Sequence, residues 1–344
     1  MKSNKYPTEF LFFSMTYEFL EVYLSKQCGR SHHTVKSYRD ALSLFRRYIL
    51  QNLGISIGAF TFSQCSRTVV LGFMDYLETL GSAASTRNHR LAALKSYVSF
   101  AADKDVTLQS KSLEICRVPR CKQQIIEPEV ITKDAMAALL RQPPNTKMGL
   151  RDRTIMVLLY DSGARLGELL GLTVSDVMLE GGNPYIRIHG KGGKERVVPI
   201  SVKTAAHLSQ YIYIFHIVSP PGTDSLFFTI IKKMANVMSE GNVERLIAKY
   251  GREARVQCCS IPERLHPHMF RRTRATQLYQ SGVALPLVSR ILGHASMQTT
   301  QLYAKPSMDM LRHAMEAADT TLQSAEKPIW MEDETIMAKL SGLR

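Results

Sequence analysis

The chain has 344 residues, 45% of them hydrophobic, which is long enough for two domains with separate cores. Lysine and arginine outnumber aspartate and glutamate by 44 to 30, and the net charge of +14 favours polyanionic partners, because each cation at a phosphate releases condensed counterions. No apolar run approaches the roughly 20 residues of a membrane-spanning helix, and the patch Phe10–Phe13 lacks a small-residue cleavage site. The expectation is a cytoplasmic protein with no membrane partner. Charge alone leaves both nucleic acid and a merely well-solvated basic surface open.

The positive charge is spread along the chain, for residues 1–126 hold 17 basic and 9 acidic side chains. The six cysteines (28, 65, 116, 121, 258 and 259) form no Cys-x-x-Cys pair. Cys116 and Cys121 lack a second pair at metal-ligand spacing, so free thiols and no metal are expected. In chain order, Met15 to Gln27 mixes apolar and charged positions at helical spacing, and Ser31 is placed to cap a helix running to about Asn52. On that helix Val35, Tyr38, Leu42, Phe45 and Ile49 form one stripe, while Lys36, Arg39, Arg46 and Arg47 fall largely elsewhere. Further helices are predicted from about Ser66 to Leu80, ended by Gly81, and from about Ser85 to Ala102. In the latter, Arg87, Arg90 and Lys95 flank the apolar Leu91, Leu94, Val98 and Phe100. This is a small helical bundle with a basic surface, although a charged helix face is by itself only a solvated face. Residues 106–130 break the pattern: Pro119, Pro128 and the basic Lys111, Arg117, Arg120 and Lys122 predict an extended linker able to follow a phosphate backbone.

Thr132 opens a second region with a helix over Lys133–Arg141, closed by Pro143-Pro144. Ile186 and Ile188 alternate with Arg187 and His189. After Gly190-Lys191-Gly192-Gly193-Lys194 the chain continues as Arg196-Val197-Val198-Pro199-Ile200, a β-hairpin whose glycine-rich tip presents a lysine. Helices follow at about 202–216, 240–254, 268–281 and 284–292. The expected fold class is mainly α with a small β-sheet.

Four stretches carry candidate chemistry. In Gly163-Ala164-Arg165-Leu166-Gly167-Glu168-Leu169 an apolar helix gives way at Gly163, and Arg165 stands where the next helix begins. Alone it reads either as a surface arginine paired with Glu168 or as a bidentate phosphate ligand. The tip at Gly190–Lys194 does not match Gly-x-x-x-x-Gly-Lys-Ser/Thr, and no strand-to-helix transition follows, so a nucleotide-phosphate loop is rejected. Lys191 suits either a polar turn or a general acid that moves in with its substrate. In His266-Pro267-His268-Met269-Phe270-Arg271-Arg272, His268 and Arg271 share a helix face at a helix start, where an anion is favoured. Arg272 and Arg274 point elsewhere, as candidates for backbone phosphate. Leu292-Gly293-His294 follows an amphipathic helix, Ser296 is placed to cap the next, and Tyr303 lies 9 positions beyond His294. A lone helical tyrosine is usually a core residue. Here it completes a set of two arginines, a lysine and two histidines, which suits phosphoryl transfer without a metal.

In this order, arginine, lysine, His-x-x-Arg, histidine and tyrosine resemble the tyrosine recombinase (phage integrase) family. The similarity covers a catalytic domain from about 130 to 315 and, more loosely, a helical core-binding domain at about 14–105. The resemblance implies that Arg165 and Arg271 clamp the scissile phosphate and that Tyr303 attacks it to give a 3′-phosphotyrosyl link. It further implies that His268 assists proton removal from Tyr303, Lys191 protonates the leaving 5′-oxygen and His294 hydrogen-bonds the phosphate. No ATP, metal or other cofactor is implied. The implied partner is double-stranded DNA, with four protomers assembled on two DNA sites, alone or with companion recombinases. The expected layout is a core-binding domain over 1–105, a basic interdomain linker over 106–130, a mixed α+β catalytic domain over 131–315 and a tail over 316–344. The segment after the tyrosine, with Met308, Leu311, Met315 and Trp330, docks on a neighbour or packs on its own domain; both stay open. Lys36, Arg39, Arg87, Arg90 and Lys95 are the candidate DNA contacts. Two departures from the family are Arg272, where histidine is common, and Ala304-Lys305, where Thr-His is common. The resemblance favours the two-domain type found in transposons, inversion systems and Xer-like proteins. A non-catalytic accessory DNA-binding protein and a type IB topoisomerase are the competing readings.

Overall fold

The computed structural model describes residues 10–123, 129–190, 193–218, 224–232, 234–294, 300, 306, 308–319 and 333–343. The chain divides into two compact units, Met1–Ile126 and Glu127–Arg344, each with its own core.

The first unit is built from α1 (Glu18–Gln27, wound as a π-helix), α2 (His32–Leu53), α3 (Arg67–Thr79), α4 (Ala84–Lys104) and α5 (Gln109–Cys116). Local chemistry sets its boundaries. Ser31 Oγ accepts from Thr34 N and Ser66 Oγ from Val69 N, each at 3.3 Å, covering amides that a helix start leaves open. Gly54 ends α2 at φ 68, a conformation that costs glycine little. The stripe read on α2 turns inward: Val35, Leu42, Phe45 and Ile49 are buried and Tyr38 packs beside them. Leu91, Leu94, Val98 and Phe100 of α4 do the same. Phe12, Phe19, Phe45, Phe60, Phe62, Phe73 and Tyr97 fill the centre, each burial contributing about 1.5–3 kcal/mol by the apolar area removed from water.

The extended linker expected from residue 106 does not begin there. A single 3-10 turn (Val106–Leu108) leads straight into α5, and Leu108, Ile115 and Val118 are buried in the same core as α4. Lys95 Nζ on α4 donates to the carbonyls of Cys116 (2.8 Å) and Val118 (2.6 Å), satisfying groups that the end of α5 exposes. Lys111 pairs with Glu114 at 2.9 Å. Pro119 follows the end of this helix, where a residue without an amide proton interrupts nothing, so it marks a stop and not a tether.

The second unit centres on α7 (Lys147–Ser162), preceded by α6 (Lys133–Arg141), whose start is capped by Thr132 as expected. Ile155, Met156, Leu158 and Leu159 of α7 are fully buried. The helix stops at Gly163 (φ 60), and the short α8 (Leu166–Leu170) starts after Arg165. Strands β1 (Val177–Met178), β2 (Tyr185–His189) and β3 (Glu195–Pro199) make an antiparallel sheet in that order. Ile186, Ile188 and Val198 face the core, and Ile188 pairs with Arg196 and His189 with Glu195. Around them lie α9 (Val202–Ile212), α10 (Glu240–Arg255), α11 (Pro267–Gln280) and α12 (Leu285–Leu292). Leu208, Tyr211, Val243, Ile247, Met269 and Phe270 join α7 in one core. The mainly helical fold with a small sheet is therefore as expected. A second antiparallel pair, β4 (Phe228–Ile231) and β5 (Met234–Val237), was not anticipated. Its aromatic and β-branched run is a strand signal, but the turn carries lysine instead of Asn-Gly, and Lys232 itself takes the left-handed φ of 51. Helices α13 (Met308–Asp319) and α14 (Glu334–Leu340) follow.

Candidate active site

Arg271 organises the site from α11. It is 1% exposed, and its guanidinium donates from Nη1 to the Gly163 carbonyl (2.8 Å) and from Nη2 to the Leu292 carbonyl (2.7 Å). The first carbonyl ends α7 and the second ends α12. One side chain thus brings three of the four motifs together, although they lie far apart in the chain.

Glu168 does the same for two further cations. Its Oε2 accepts from Arg165 N (3.0 Å) and its Oε1 from Arg165 Nη1 (2.7 Å), which fixes the arginine at the start of α8. Arg196 of β3 grips the same carboxylate, Nη2 to Oε2 at 2.6 Å and Nη1 to Oε1 at 3.2 Å, and donates from Nε to the Ile291 carbonyl at 3.1 Å. Burial alone would raise the Glu168 carboxyl; the hydrogen bonds from Arg196 and Arg165 reverse this and hold it at about 2. Gly293 makes the packing possible. It sits at φ 67, and a Cβ there would lie 2.9 Å from Arg196 Nη1. Both arginines and the carboxylate line a cleft of about 860 Å³ with Lys194, Arg290 and His294. A smaller adjoining cleft of about 380 Å³ shares Arg165 and adds His266 and His268.

The two histidines are held neutral. Desolvation lowers His268 to about 4, aided by the positive charges of Arg272 and Arg271, then His266 and Arg165. Desolvation likewise lowers His294 to about 4, with Arg271, Arg165, His268 and Arg196 adding to it. Each ring therefore feels both arginines that the sequence singled out. His294 Nδ1 shares a 2.7 Å hydrogen bond with the hydroxyl of Thr300, which is fully buried and fixes the ring by that nitrogen. The arginines can hold an anion, and an anion held there would offset the positive charge that otherwise opposes proton uptake by these neutral imidazoles.

Of the six catalytic candidates, Arg165, His268, Arg271 and His294 come together here. Lys191 and Tyr303 lie outside the described residues. Arg196 and Thr300 belong to the site but were not singled out in sequence. Arg274, read as a backbone-phosphate ligand, instead pairs with Asp161 at 3.1 Å. The same carboxylate accepts from Ser201 N at 2.6 Å, so Arg274 ties α11 to the end of α7 and the start of α9.

The candidate DNA contacts of the first unit divide. Lys36 is exposed on α2, and Arg39 is exposed but paired with Glu21 of α1. Arg87 pairs with Glu78 at 2.7 Å with its own side chain 14% exposed, and Arg90 donates to Ser82 Oγ at 2.9 Å. Lys95 is engaged at the end of α5. Among the described residues, no group of three or more His, Cys, Asp or Glu side chains could hold a metal ion. Nor is any helix among them long and apolar enough to cross a membrane.

Residues 129–310 match the Phage integrase family, and residues 18–105 match the phage integrase N-terminal SAM-like domain. Tyrosine recombinase XerD of Staphylococcus epidermidis is 30% identical over 287 residues, covering 83% of this chain and 91% of its own. Tyrosine recombinase XerC of Myxococcus xanthus is 29% identical over 308 residues, 88% of this chain and 96% of its own. In fold, the chain is similar to XerH site-specific recombinase, solved bound to palindromic difH substrate in a post-cleavage complex. The TM-score is 0.66 at 22% identity, over 87% of this chain and 84% of that one. With the first match covering more than half of the chain, and the fold and convergent cations in agreement, the protein belongs to the phage integrase family and is a two-domain tyrosine recombinase, an enzyme that cuts and rejoins DNA.

Proposed function

We propose that Arg165 and Arg271 bind the non-bridging oxygens of the scissile phosphate while Tyr303 attacks phosphorus. Tyr303 thereby becomes a 3′-phosphotyrosyl ester, and Lys191 protonates the departing 5′-oxygen. His268 takes the phenolic proton, and His294 hydrogen-bonds the phosphate. Attack by the 5′-hydroxyl of a partner strand reverses the chemistry and exchanges strands. The convergence of both arginines and both histidines carries this reading. Arg271 is already anchored by two carbonyls, so its charge needs no reorganisation as the transition state forms. The roles of Lys191 and Tyr303 rest on the family pattern.

The substrate is double-stranded DNA, at the ends of a mobile element or at a resolution site. Lys36, Arg46 and Arg47, all exposed on α2, are suited to contact its backbone beside Arg39. A homotetramer on two sites accords with α13, which exposes Met308, Leu311 and Met315; a neighbouring protomer would cover them. The six cysteines are free thiols, which suits the reducing cytoplasm.

Replacing one non-bridging oxygen of the scissile phosphate by methyl removes the charge that Arg165 is proposed to offset. Arg165→Ala should slow cleavage of ordinary DNA by about 100- to 1000-fold, the usual effect of losing one oxyanion donor. Its penalty on the methylphosphonate should be much smaller. Equal losses on both substrates would contradict the phosphate clamp.

A further inference from the structure

Lys191 falls in the sequence between β2 and β3, and where these strands end His189 joins a charged cluster whose Glu195 also lines the larger cleft. His189 Nε2 lies 2.8 Å from Asp176 Oδ1, and His189 Nδ1 lies 3.0 Å from Glu195 Oε1. Asp176 is a rigid anchor. It is 5% exposed, and its other oxygen accepts from Thr173 N (2.9 Å) and Thr173 Oγ1 (2.7 Å). Glu195 stands directly across from His189 in the strand register. Gly190 N donates to the Lys194 carbonyl at 2.7 Å, so the turn begins immediately beyond this pair.

We infer that His189 is a positioning residue for cleavage, its imidazolium bridging Asp176 and Glu195 so that the two strands flanking Lys191 in the sequence are clamped in register. Ionised carboxylates only accept hydrogen bonds, and a neutral imidazole has a single N–H. Both contacts can be made together only by the protonated ring, which has two. The charged groups facing it are Asp176, on the turn before β1, and Glu195, on β3. Arg187 shares its face of β2 two residues back. The hydrogen bond and charge of Asp176, with those of Glu195, raise His189 above its ordinary 6.5. The bridge is therefore complete below that ordinary value. It is lost as pH rises through the raised one, when one nitrogen becomes an acceptor facing a carboxylate. The contact to Glu195 opens, since Asp176 is the buried and fixed partner.

This inference rests on the reading of Lys191 as proton donor, and one experiment separates the two. Single-turnover cleavage of a nicked duplex would be measured for wild type, His189→Gln, Glu195→Gln and Lys191→Ala. Each would be tested on ordinary DNA and on DNA with sulfur at the 5′-bridging position. The sulfur leaves as a thiolate and needs no proton, since thiols ionise at about 8.5. His189→Gln should slow ordinary cleavage about tenfold, as for one lost charge-assisted hydrogen bond, and Glu195→Gln should act in the same direction. Sulfur should restore both to the wild-type rate. The ratio of wild-type to His189→Gln rates should fall towards one as pH rises from below 6.5 through the raised value, where the ring loses its proton. A wild-type rate for His189→Gln on ordinary DNA would overturn the proposal. So would a defect that persists on the sulfur substrate while Lys191→Ala is rescued. Failure of sulfur to rescue Lys191→Ala would instead sink the proton-donor reading, and the inference with it.

Discussion

His268 and His294 depart strongly from the ordinary behaviour of an imidazole. Both are lowered to about 4 by desolvation and neighbouring cations, so the folded protein binds fewer protons than the unfolded chain between that value and 6.5. Above pH 6.5 they leave stability unchanged; as pH falls from there towards 4 the catalytic domain should lose stability. NMR titration of DNA-free protein should place both imidazoles well below 6.5, with His268 moving upward in Arg272→Gln. Ordinary titration near 6.5 would remove the cationic environment on which the site depends. Gly293→Ala is a second test at this scale. The left-handed backbone costs a non-glycine residue about 1–2 kcal/mol, and the new methyl meets the Arg196 guanidinium. The denaturant midpoint should fall accordingly, with cleavage weakened as Arg196 shifts from Glu168. An unchanged midpoint would contradict the packing described. The sequence made Arg165, His268, Arg271 and His294 visible through their order. It hid Arg196, whose partners Glu168 and Ile291 lie 28 and 95 residues away, because hydrogen bonds across such distances leave no local spacing to read.

At the scale of elements, helices with a stripe and a cap were legible. Ser31, Ser66 and Thr132 start helices where their side chains can accept an amide proton, and β2 and β3 follow the alternation of Ile186 and Ile188. The segment from 106 was misread because proline and charge outweighed three apolar residues at helical spacing. Only the fold shows that Leu108, Ile115 and Val118 complete the first core. A fragment ending at residue 123 should accordingly unfold cooperatively, whereas one ending at 105 should not. Within the full chain, Ile115→Ala should cost about 2–5 kcal/mol, as for a buried side chain that leaves a cavity. Full stability of the shorter fragment would restore the linker reading. The β4–β5 pair escaped notice for a different reason: Lys232 occupies a turn conformation in which glycine or asparagine would have announced the hairpin.

For the whole molecule, the excess of +14 is distributed over both units and not confined to one tail. DNA affinity should therefore fall steeply with salt, log K declining by about 0.9 per phosphate neutralised on duplex DNA. Lys36→Ala should reduce that slope by about one while leaving the ranking of DNA sequences unchanged. A salt-independent affinity would mean that the charge serves solubility alone. In the proposed mechanism this charge and the convergent site serve one covalent step. Purified wild type and Tyr303→Phe would be mixed with end-labelled fragments from the ends of the host element, then boiled in SDS. A labelled protein–DNA adduct with wild type, absent with Tyr303→Phe and mapped by peptide mass to Tyr303, is the predicted result. An adduct of equal yield from Tyr303→Phe, or tight specific binding with no adduct from wild type, would contradict it.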